Sequence, residues 1–233
     1  MHLQRTLSFI LLLPFFISCD SSTETEAPIP YMSLHVGDVR QYFSEKDSVY
    51  DTWYIVGETH RTDGQKVFIG TNEFGSLEDT ARYFYYFIRD GYFYSTEIDT
   101  NSEGWDLPGN PYVEQRLGKT FPKDGDKWIH IDGNKKEQYF TAKYIGSKST
   151  PAKDFKNVYG FQLDSILTVY YAEGFGHIGI SFLEKNISIL VNYVKVNGKE
   201  YGEYIPQDQL PKRTSSTNEA MKTEYGFLGE RLD

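Results

Sequence analysis

The side chains that could carry acid–base chemistry are few and poorly placed for it. Glu97 and Asp99 stand two residues apart in a predicted strand, which separates their carboxylates by roughly 6–7 Å along one face. That separation is typical of an inverting glycosidase. Both residues lie just before the polar sequence Thr100-Asn101-Ser102, however, and such a position is typical of a solvated strand edge. The sequence also contains no G-x-S-x-G nucleophile motif, and we predict that the protein is not an enzyme.

Metal and cofactor sites are not indicated either. The histidines beyond the first segment are scattered along the chain, at His35, His60, His130 and His177. Their spacing does not match that of zinc ligands. The run Gly174-Phe175-Gly176-His177-Ile178-Gly179 matches G-x-G-x-x-G, but a strand-like alternation follows it where a dinucleotide site requires a helix. We interpret these glycines as a tight turn between two strands, and we predict no metal and no cofactor.

The residue with the clearest chemical assignment is Cys19, the only cysteine in the sequence. It follows an apolar run, 7–17, that is shorter than the about 20 residues needed to span a bilayer as a helix. The run has the length of a signal-peptide core, with the cation Arg5 before it and the small residue Ser18 at its end. We predict that residues 1–18 are a signal peptide that is removed from the mature protein.

The sequence Phe16-Ile17-Ser18-Cys19 resembles the lipobox of bacterial lipoproteins. The resemblance implies that the thiol of Cys19 carries a diacylglycerol, that the signal is cut before it and that the new amine is acylated. Two or more acyl chains anchor a protein stably to a membrane. The implied partner is therefore a membrane, contacted through lipid on Cys19. The implied location is the cell envelope, at the outer membrane, with the domain facing the periplasm or the cell surface.

The mature chain divides into a linker, a domain and a tail. Residues 19–30 combine Cys19 with a polar, acidic, proline-containing sequence, a composition typical of a flexible tether. Residues 31–205 form the predicted β domain. Residues 206–233 form a polar tail with a candidate short helix, which the capping pair Ser216 and Glu219 would start. The net charge of −9 argues against nucleic acid as a partner, because binding phosphates needs clustered Lys and Arg.

The domain shows a β pattern throughout. Segments of alternating or continuous β-forming residues recur at 39–43, 53–58, 66–74, 82–88, 92–98, 112–117, 127–131, 138–145, 158–163, 167–172, 177–182 and 187–194. Tight-turn sequences separate several of them, namely Asp63-Gly64, Asp90-Gly91, Asp132-Gly133-Asn134 and Asn197-Gly198. Strands with such short connections are antiparallel. We predict a mainly β fold of about a dozen antiparallel strands in meander order, forming a curved sheet, a roll or an open barrel.

The most unusual segment is the aromatic hairpin 83–94, in a chain with 19 Tyr and 16 Phe. A two-residue turn at Asp90-Gly91 places Phe87 opposite Tyr94 and Tyr85 opposite Thr96. One face then carries four aromatic side chains, those of Tyr83, Tyr85, Phe87 and Tyr94. The other face is also aromatic, whereas a hairpin with water on one side alternates apolar with polar residues. Either both faces are covered, or one presents an aromatic platform to a ligand.

These four residues and Trp105 are the candidate ligand contacts. A tyrosine combines a flat apolar ring with a hydroxyl group, which suits sugars, lipids and aromatic molecules. Trp105 lies in the loop-like sequence Glu103-Gly104-Trp105-Asp106, and loops often carry function. The alternatives are that the four rings pack as ordinary core and that Trp105 covers one end of a barrel.

Two further stretches resemble uncharacterised bacterial envelope lipoproteins. In those proteins a Tyr-Ala-x-Gly-x-Gly hairpin joins two strands, as Tyr171-Ala172-Glu173-Gly174-Phe175-Gly176 does here. The sequences 34–38 and 117–128 resemble turns that lead into strands of the same proteins. The meander is also loosely similar to the half-barrels of lipoprotein carriers, which hold acyl chains, although this chain lacks clear helices to plug the concave side.

Together these features predict a lipid-anchored envelope protein that acts as a non-catalytic binding or structural module. The most concrete version holds a hydrophobic small molecule or acyl chain in the concave face of the sheet, lined by Tyr83, Tyr85, Phe87 and Tyr94. The alternative is an accessory glycan-binding module at the cell surface, in which Trp105 and exposed tyrosines stack on sugar rings. The sequence predicts neither the identity of the ligand nor the oligomeric state.

Overall fold

The computed structural model describes residues 27–44, 46, 49–74, 82–96, 112, 114–131 and 137–210. Within these ranges the chain forms thirteen β-strands and a single 3-10 turn, Gln207–Gln209. The strands are β1 (Val39–Ser44), β2 (Val49–His60), β3 (Lys66–Phe74), β4 (Arg82–Arg89), β5 (Tyr92–Thr96), β6 (Glu114–Lys119), β7 (Lys127–Ile131), β8 (Glu137–Ser149), β9 (Asp154–Leu163), β10 (Leu167–Ala172), β11 (Gly176–Phe182), β12 (Ile187–Val196) and β13 (Lys199–Gly202). No helix in the described ranges is long and apolar enough to cross a membrane.

The strands form one antiparallel sheet in meander order. Their order across the sheet is β6-β5-β4-β3-β2-β1-β12-β11-β10-β9-β8-β7, and β13 pairs with β12 outside this path. The edge strands β6 and β7 lie beside each other. Gln115 of β6 lies within hydrogen-bond distance of His130 of β7, with 3.1 Å between their Nε2 atoms. The sheet therefore curves into a nearly closed barrel, and the predicted mainly β meander is confirmed.

The hairpin turns also follow the sequence prediction. Asp90 and Gly91 both have positive φ, at 52° and 74°. As predicted, Phe87 pairs with Tyr94 and Tyr85 with Thr96. Asn197 and Gly198 repeat the turn between β12 and β13, with φ of 48° and 74°. In the G-x-G-x-x-G run, a turn is followed by strand β11 rather than by a helix, as expected.

Several strand boundaries and one strand differ from the sequence prediction, and some predictions fall on residues that the structure does not describe. Strand β9 starts at Asp154 rather than 158, and its first residues are polar apart from buried Phe155. Strand β13 was not predicted, because all four of its residues are exposed and give no apolar alternation. The signal peptide, the turn at 132–134 and the candidate helix after Ser216 lie outside the described residues.

The two ends of the barrel differ. Because the strands alternate in direction, connections that follow even-numbered strands lie at one end, at 61–65, 90–91, 120–126, 150–153, 173–175 and 197–198. The residues before β1 pack at this end: Tyr31 N donates to Thr120 O, and Gly174 N donates to Pro30 O. We call it the tether end and the opposite one the far end. Strand β5 ends at the far end, and most of the residues between it and β6 lie outside the described ranges.

Aromatic side chains fill the interior of the barrel. Tyr31 and Met32 are buried at the tether end and belong to the interior core. The ring of Phe161 lies 4.6 Å from that of Tyr171 and 4.8 Å from that of Trp128, centroid to centroid. Phe161 also occupies the space in front of Gly118, where a Cβ atom would collide with its ring. The described interior is thus a packed core held together by apolar contacts.

Candidate functional site

The predicted aromatic stripe lies on the outer face of the β4–β5 hairpin. Tyr86 and Phe93, on the opposite face, belong to the interior core. Phe87 and Tyr94 form a separate cluster with Val67 of β3. Because neighbouring residues in a strand point to opposite faces, the stripe faces away from the barrel interior. In this structure the four predicted ligand contacts therefore do not line the concave side of the sheet.

The stripe changes from buried to exposed along its length. Phe87 and Tyr94 are 0% and 4% exposed, and their rings stack with centroids 4.8 Å apart and planes 3° apart. Tyr85 is half-buried, and Tyr83, near the far end, is 59% exposed. One half of the stripe is therefore core, and the other half is open surface.

Three arginines cover the buried half of the stripe. The guanidinium carbons of Arg61 and Arg89 lie 5.2 Å and 5.1 Å from the ring centroid of Phe87. That of Arg116 lies 4.4 Å from the Tyr92 ring and 5.7 Å from the Tyr94 ring. A planar, weakly hydrated guanidinium is well suited to such contacts with aromatic faces.

Glu114 is the acid that ties these arginines together. Its side chain is 1% exposed, and Oε1 lies 2.8 Å from Nη2 of Arg61 while Oε2 binds Nη2 of Arg89. Arg61 also reaches Oδ2 of Asp63 at 2.6 Å and donates to Oγ1 of Thr96 at 2.8 Å. The hydrogen bond from Arg61 holds the pKa of Asp63 below its usual value. The network joins the β2–β3 turn to β4, β5 and β6, and no sequence motif marks its charged residues as a cluster.

A second polar cluster lies inside the barrel around Arg40. This residue is 0% exposed. Its Nη2 and Nε donate to the carbonyl oxygen of Phe175 at 2.7 Å and 3.3 Å, and its guanidinium lies 4.8 Å from the Trp53 ring centroid. Nη1 is buried without a hydrogen-bond partner. Among the described residues, none of the ion pairs includes Arg40.

Four ionisable side chains near Arg40 have strongly shifted pKa values, and the buried carboxylate of Asp51 lies in the same cluster. Burial raises the pKa values of Tyr42, Tyr86 and Tyr171 far above the usual value for tyrosine. Burial, with the nearby Arg40 charge, lowers the pKa of His177 to about 3. Tyr42 Oη lies 2.8 Å from His177 Nδ1. General acid–base catalysis needs a group that titrates near the working pH, and these four do not.

The remaining predicted sites are separated or undescribed. Within the ranges that the structure describes, no three His, Cys, Asp or Glu side chains converge in a way that could hold a metal ion. Cys19 and Trp105 lie outside those ranges. Tyr112, near the end of the β5–β6 connection, is described: it is 3% exposed, and the Arg61 guanidinium carbon lies 4.0 Å from its ring centroid.

Comparison with known proteins adds no assignment to these surfaces. No protein-family model matches the chain, and neither a curated protein nor a solved structure matches it significantly.

Proposed function

We propose that this chain is a lipid-anchored envelope protein whose barrel is a non-catalytic binding module, with its ligand site at the exposed half of the outer stripe. The observation that carries the proposal is Tyr83, 59% exposed beside half-buried Tyr85. Both rings continue a row whose other half, Phe87 and Tyr94, is stacked and covered by arginines. A rigid base of this kind holds the exposed rings in place before a ligand arrives.

Carbohydrate is the ligand class that this surface favours. A tyrosine presents an apolar face to a sugar ring and a hydroxyl to its polar groups, at little cost in side-chain entropy. The net charge of −9 disfavours polyanions. Trp105 follows Thr96 by nine residues in the sequence, and Thr96 pairs with Tyr85, which makes Trp105 a further candidate for this site.

Anchoring is proposed from the sequence around Cys19. The short apolar run before it and the likeness of Phe16-Ile17-Ser18-Cys19 to a lipobox support removal of the signal and acylation of the cysteine. The membrane partner is then contacted through lipid, with the outer membrane as the proposed location. Intact mass of the detergent-extracted protein tests this step: we expect a chain that begins at Cys19 and carries acyl chains, and an unmodified Cys19 would overturn it.

Glycan-array binding of the purified protein tests the ligand site. We expect binding to a defined group of glycans, lost in Tyr83→Ala and in Trp105→Ala. The matched control is Tyr139→Ala, because Tyr139 is 49% exposed on β8, a strand that pairs with neither β4 nor β5. A uniformly flat array, or equal losses in the control, would remove the glycan proposal.

A hydrophobic acid inside the barrel is the second candidate, and Arg40 is the observation that favours it. A buried guanidinium without an ion-pair partner is costly, and the acid group of an amphiphile would offset that cost. The rings of Phe161, Trp128 and Tyr171 occupy the interior, so such a ligand would have to displace them. Mass spectrometry of organic extracts tests it: an acidic lipid present in the native protein and absent from Arg40→Met would support it, and empty extracts would exclude it.

A further inference from the structure

Three exposed side chains give the tether end an apolar surface. Ile29 is 53% exposed, and Phe121 and Tyr144 are each 49% exposed. Phe121 lies in the β6–β7 connection. Tyr144 is held next to it, because its backbone N donates to Oδ1 of Asp124 in the same connection. The apolar surface thus combines the residues before β1, the β6–β7 connection and β8.

Contacts among aromatic rings fix this surface to the barrel. The ring of Tyr159 packs edge-on against Tyr31 at 5.2 Å and against Tyr144 at 5.3 Å. The Tyr31 backbone is bound to Thr120, the neighbour of Phe121. Ile29 lies against the β10–β11 turn, where a Cβ atom on Gly174 would approach its Cγ2 to 3.1 Å. The exposed groups therefore stand on a rigid base.

The chain that leads to this surface limits its distance from the membrane. Ile29 is the tenth residue after Cys19, and a segment of this length spans at most about 35 Å when fully extended. Because Pro30 and Tyr31 are bound at the tether end, an acylated Cys19 keeps this end of the barrel close to the bilayer. The far end, with Tyr83, has no such connection to the lipid.

The charges around the surface are mixed. Lys119 and Asp126 form an ion pair at 3.1 Å, and Lys123 and Asp124 are both exposed nearby. The pKa of Tyr31 is raised to about 12, by burial first and then by the charge of Glu173, so this ring stays neutral. Neither sign dominates, which favours an apolar contact with the bilayer interface over attraction by charge. Tyrosine is typical of that interface.

We propose that the tether end docks on the phospholipid bilayer, with Ile29, Phe121 and Tyr144 entering the headgroup region. The docking rests on the proposed acylation of Cys19, because three half-covered side chains bind weakly unless the anchor makes the contact intramolecular. In the docked state the far end and Tyr83 point away from the membrane, where a ligand reaches them.

Lipid-borne quenchers test the docking on the full-length acylated protein. Acylation blocks Cys19, so an introduced cysteine is the only free thiol and can carry a bimane label. Phe121→Cys places the label at the tether end. Leu183→Cys is the matched control, since Leu183 is 50% exposed in the β11–β12 connection at the far end. In phosphatidylcholine vesicles, brominated lipid should abolish most of the fluorescence at position 121 and leave that at position 183 unchanged.

A second set of variants tests the docking with Phe121 intact, so that the label does not replace one of the docking side chains. With the label on Lys123→Cys, adding Ile29→Ser and Tyr144→Ser should reduce quenching while the protein still floats with the vesicles and keeps its circular dichroism spectrum. Equal quenching at positions 121 and 183, or no effect of the serines, would overturn the docking alone. An unmodified Cys19 in the intact mass would instead overturn the anchoring and the docking with it.

Discussion

Two buried arginines of this barrel differ in their ion-pair partners. On the outer face of the sheet, Nη2 of Arg61 lies 2.8 Å from Oε1 of Glu114 and 2.6 Å from Oδ2 of Asp63, and the guanidinium lies over the Phe87 ring. Inside, Arg40 is equally buried but is bound only to the carbonyl oxygen of Phe175 and packed on Trp53. In the outer cluster, two carboxylates compensate the charge of Arg61, and these ion pairs hold neighbouring strands together. The inner arginine forms no ion pair, although the buried carboxylate of Asp51 lies in the same cluster, so we expect its contribution to stability to be smaller.

Among the charged residues, the largest effect is expected from removing the acid of the outer cluster. Glu114→Gln leaves Arg61 buried with one fewer carboxylate and should lower the free energy of unfolding by about 3–5 kcal/mol, as for other broken buried ion pairs. Urea denaturation followed by tryptophan fluorescence measures it. The control is Glu58→Gln, whose pair with Lys66 is 48% exposed on both sides and should contribute less than about 1 kcal/mol. Equal losses in the two variants would contradict the stabilising role of the buried Glu114–Arg61 ion pair.

Acid should weaken the inner cluster through His177. The pKa of His177 is lowered to about 3 in the folded protein, against 6.5 for an ordinary histidine. The unfolded chain therefore binds a proton first as pH falls below about 6.5. This contribution to stability is complete above pH 6.5 and is lost progressively toward pH 3, by up to about 1.4 kcal/mol per pH unit. Chemical denaturation between pH 7 and 5 measures the slope.

The matched test is His177→Gln, whose free energy of unfolding should depend less steeply on pH over the same range. A wild-type slope that survives the loss of His177 would place the acid sensitivity elsewhere.

A smaller effect is expected when the inner arginine itself is replaced. Arg40→Met keeps much of the side-chain length and removes a buried charge that no carboxylate pairs with, so the free energy of unfolding should change by less than about 1 kcal/mol or increase. Denaturation of Arg40→Met and Arg61→Met side by side sharpens the comparison. A loss for Arg40→Met as large as that for Arg61→Met would show that the inner cation is as well compensated as the outer one.

The smallest effect on stability is expected at the exposed end of the stripe. Tyr83→Ala removes a ring that is 59% exposed and should change the free energy of unfolding by at most about 0.5 kcal/mol. Phe87→Ala, in the same row, should cost about 3–5 kcal/mol because its ring is 0% exposed. Thermal unfolding of the two variants measures the contrast, and a Tyr83→Ala protein as unstable as Phe87→Ala would mean that no part of the stripe is free for a ligand.

Local sequence patterns were sufficient to predict twelve of the thirteen described strands and their meander order. Turn pairs such as Asp90-Gly91 set the register of a hairpin, and alternation marks each strand, so the meander and the pairing of Phe87 with Tyr94 followed directly. The side of the hairpin that faces the core did not follow, because both sides are aromatic. Only the curvature of the whole sheet decides that Tyr86 points inward.

The charged residues were harder to predict. Arg40 alternates with Tyr42 and Ser44 in β1, a pattern that resembles a solvated face, yet all three are buried. Charged side chains are rarely buried without a pair, so sequence reasoning places Arg40 outside. Glu114 and Arg61 are far apart in the chain and share no motif. Their contact arises from the packing of the β2–β3 turn over the outer face of the hairpin, which no local pattern encodes.

Tyrosine nitration of the native protein tests most directly whether the stripe is half core and half binding surface. Peptide mass spectrometry after brief exposure to tetranitromethane should find Tyr83 modified and Tyr94 unmodified, and a glycan identified on the array should protect Tyr83. Modification of Tyr94 to the same extent as Tyr83, or a Tyr83 that reacts equally with and without the glycan, would contradict the account.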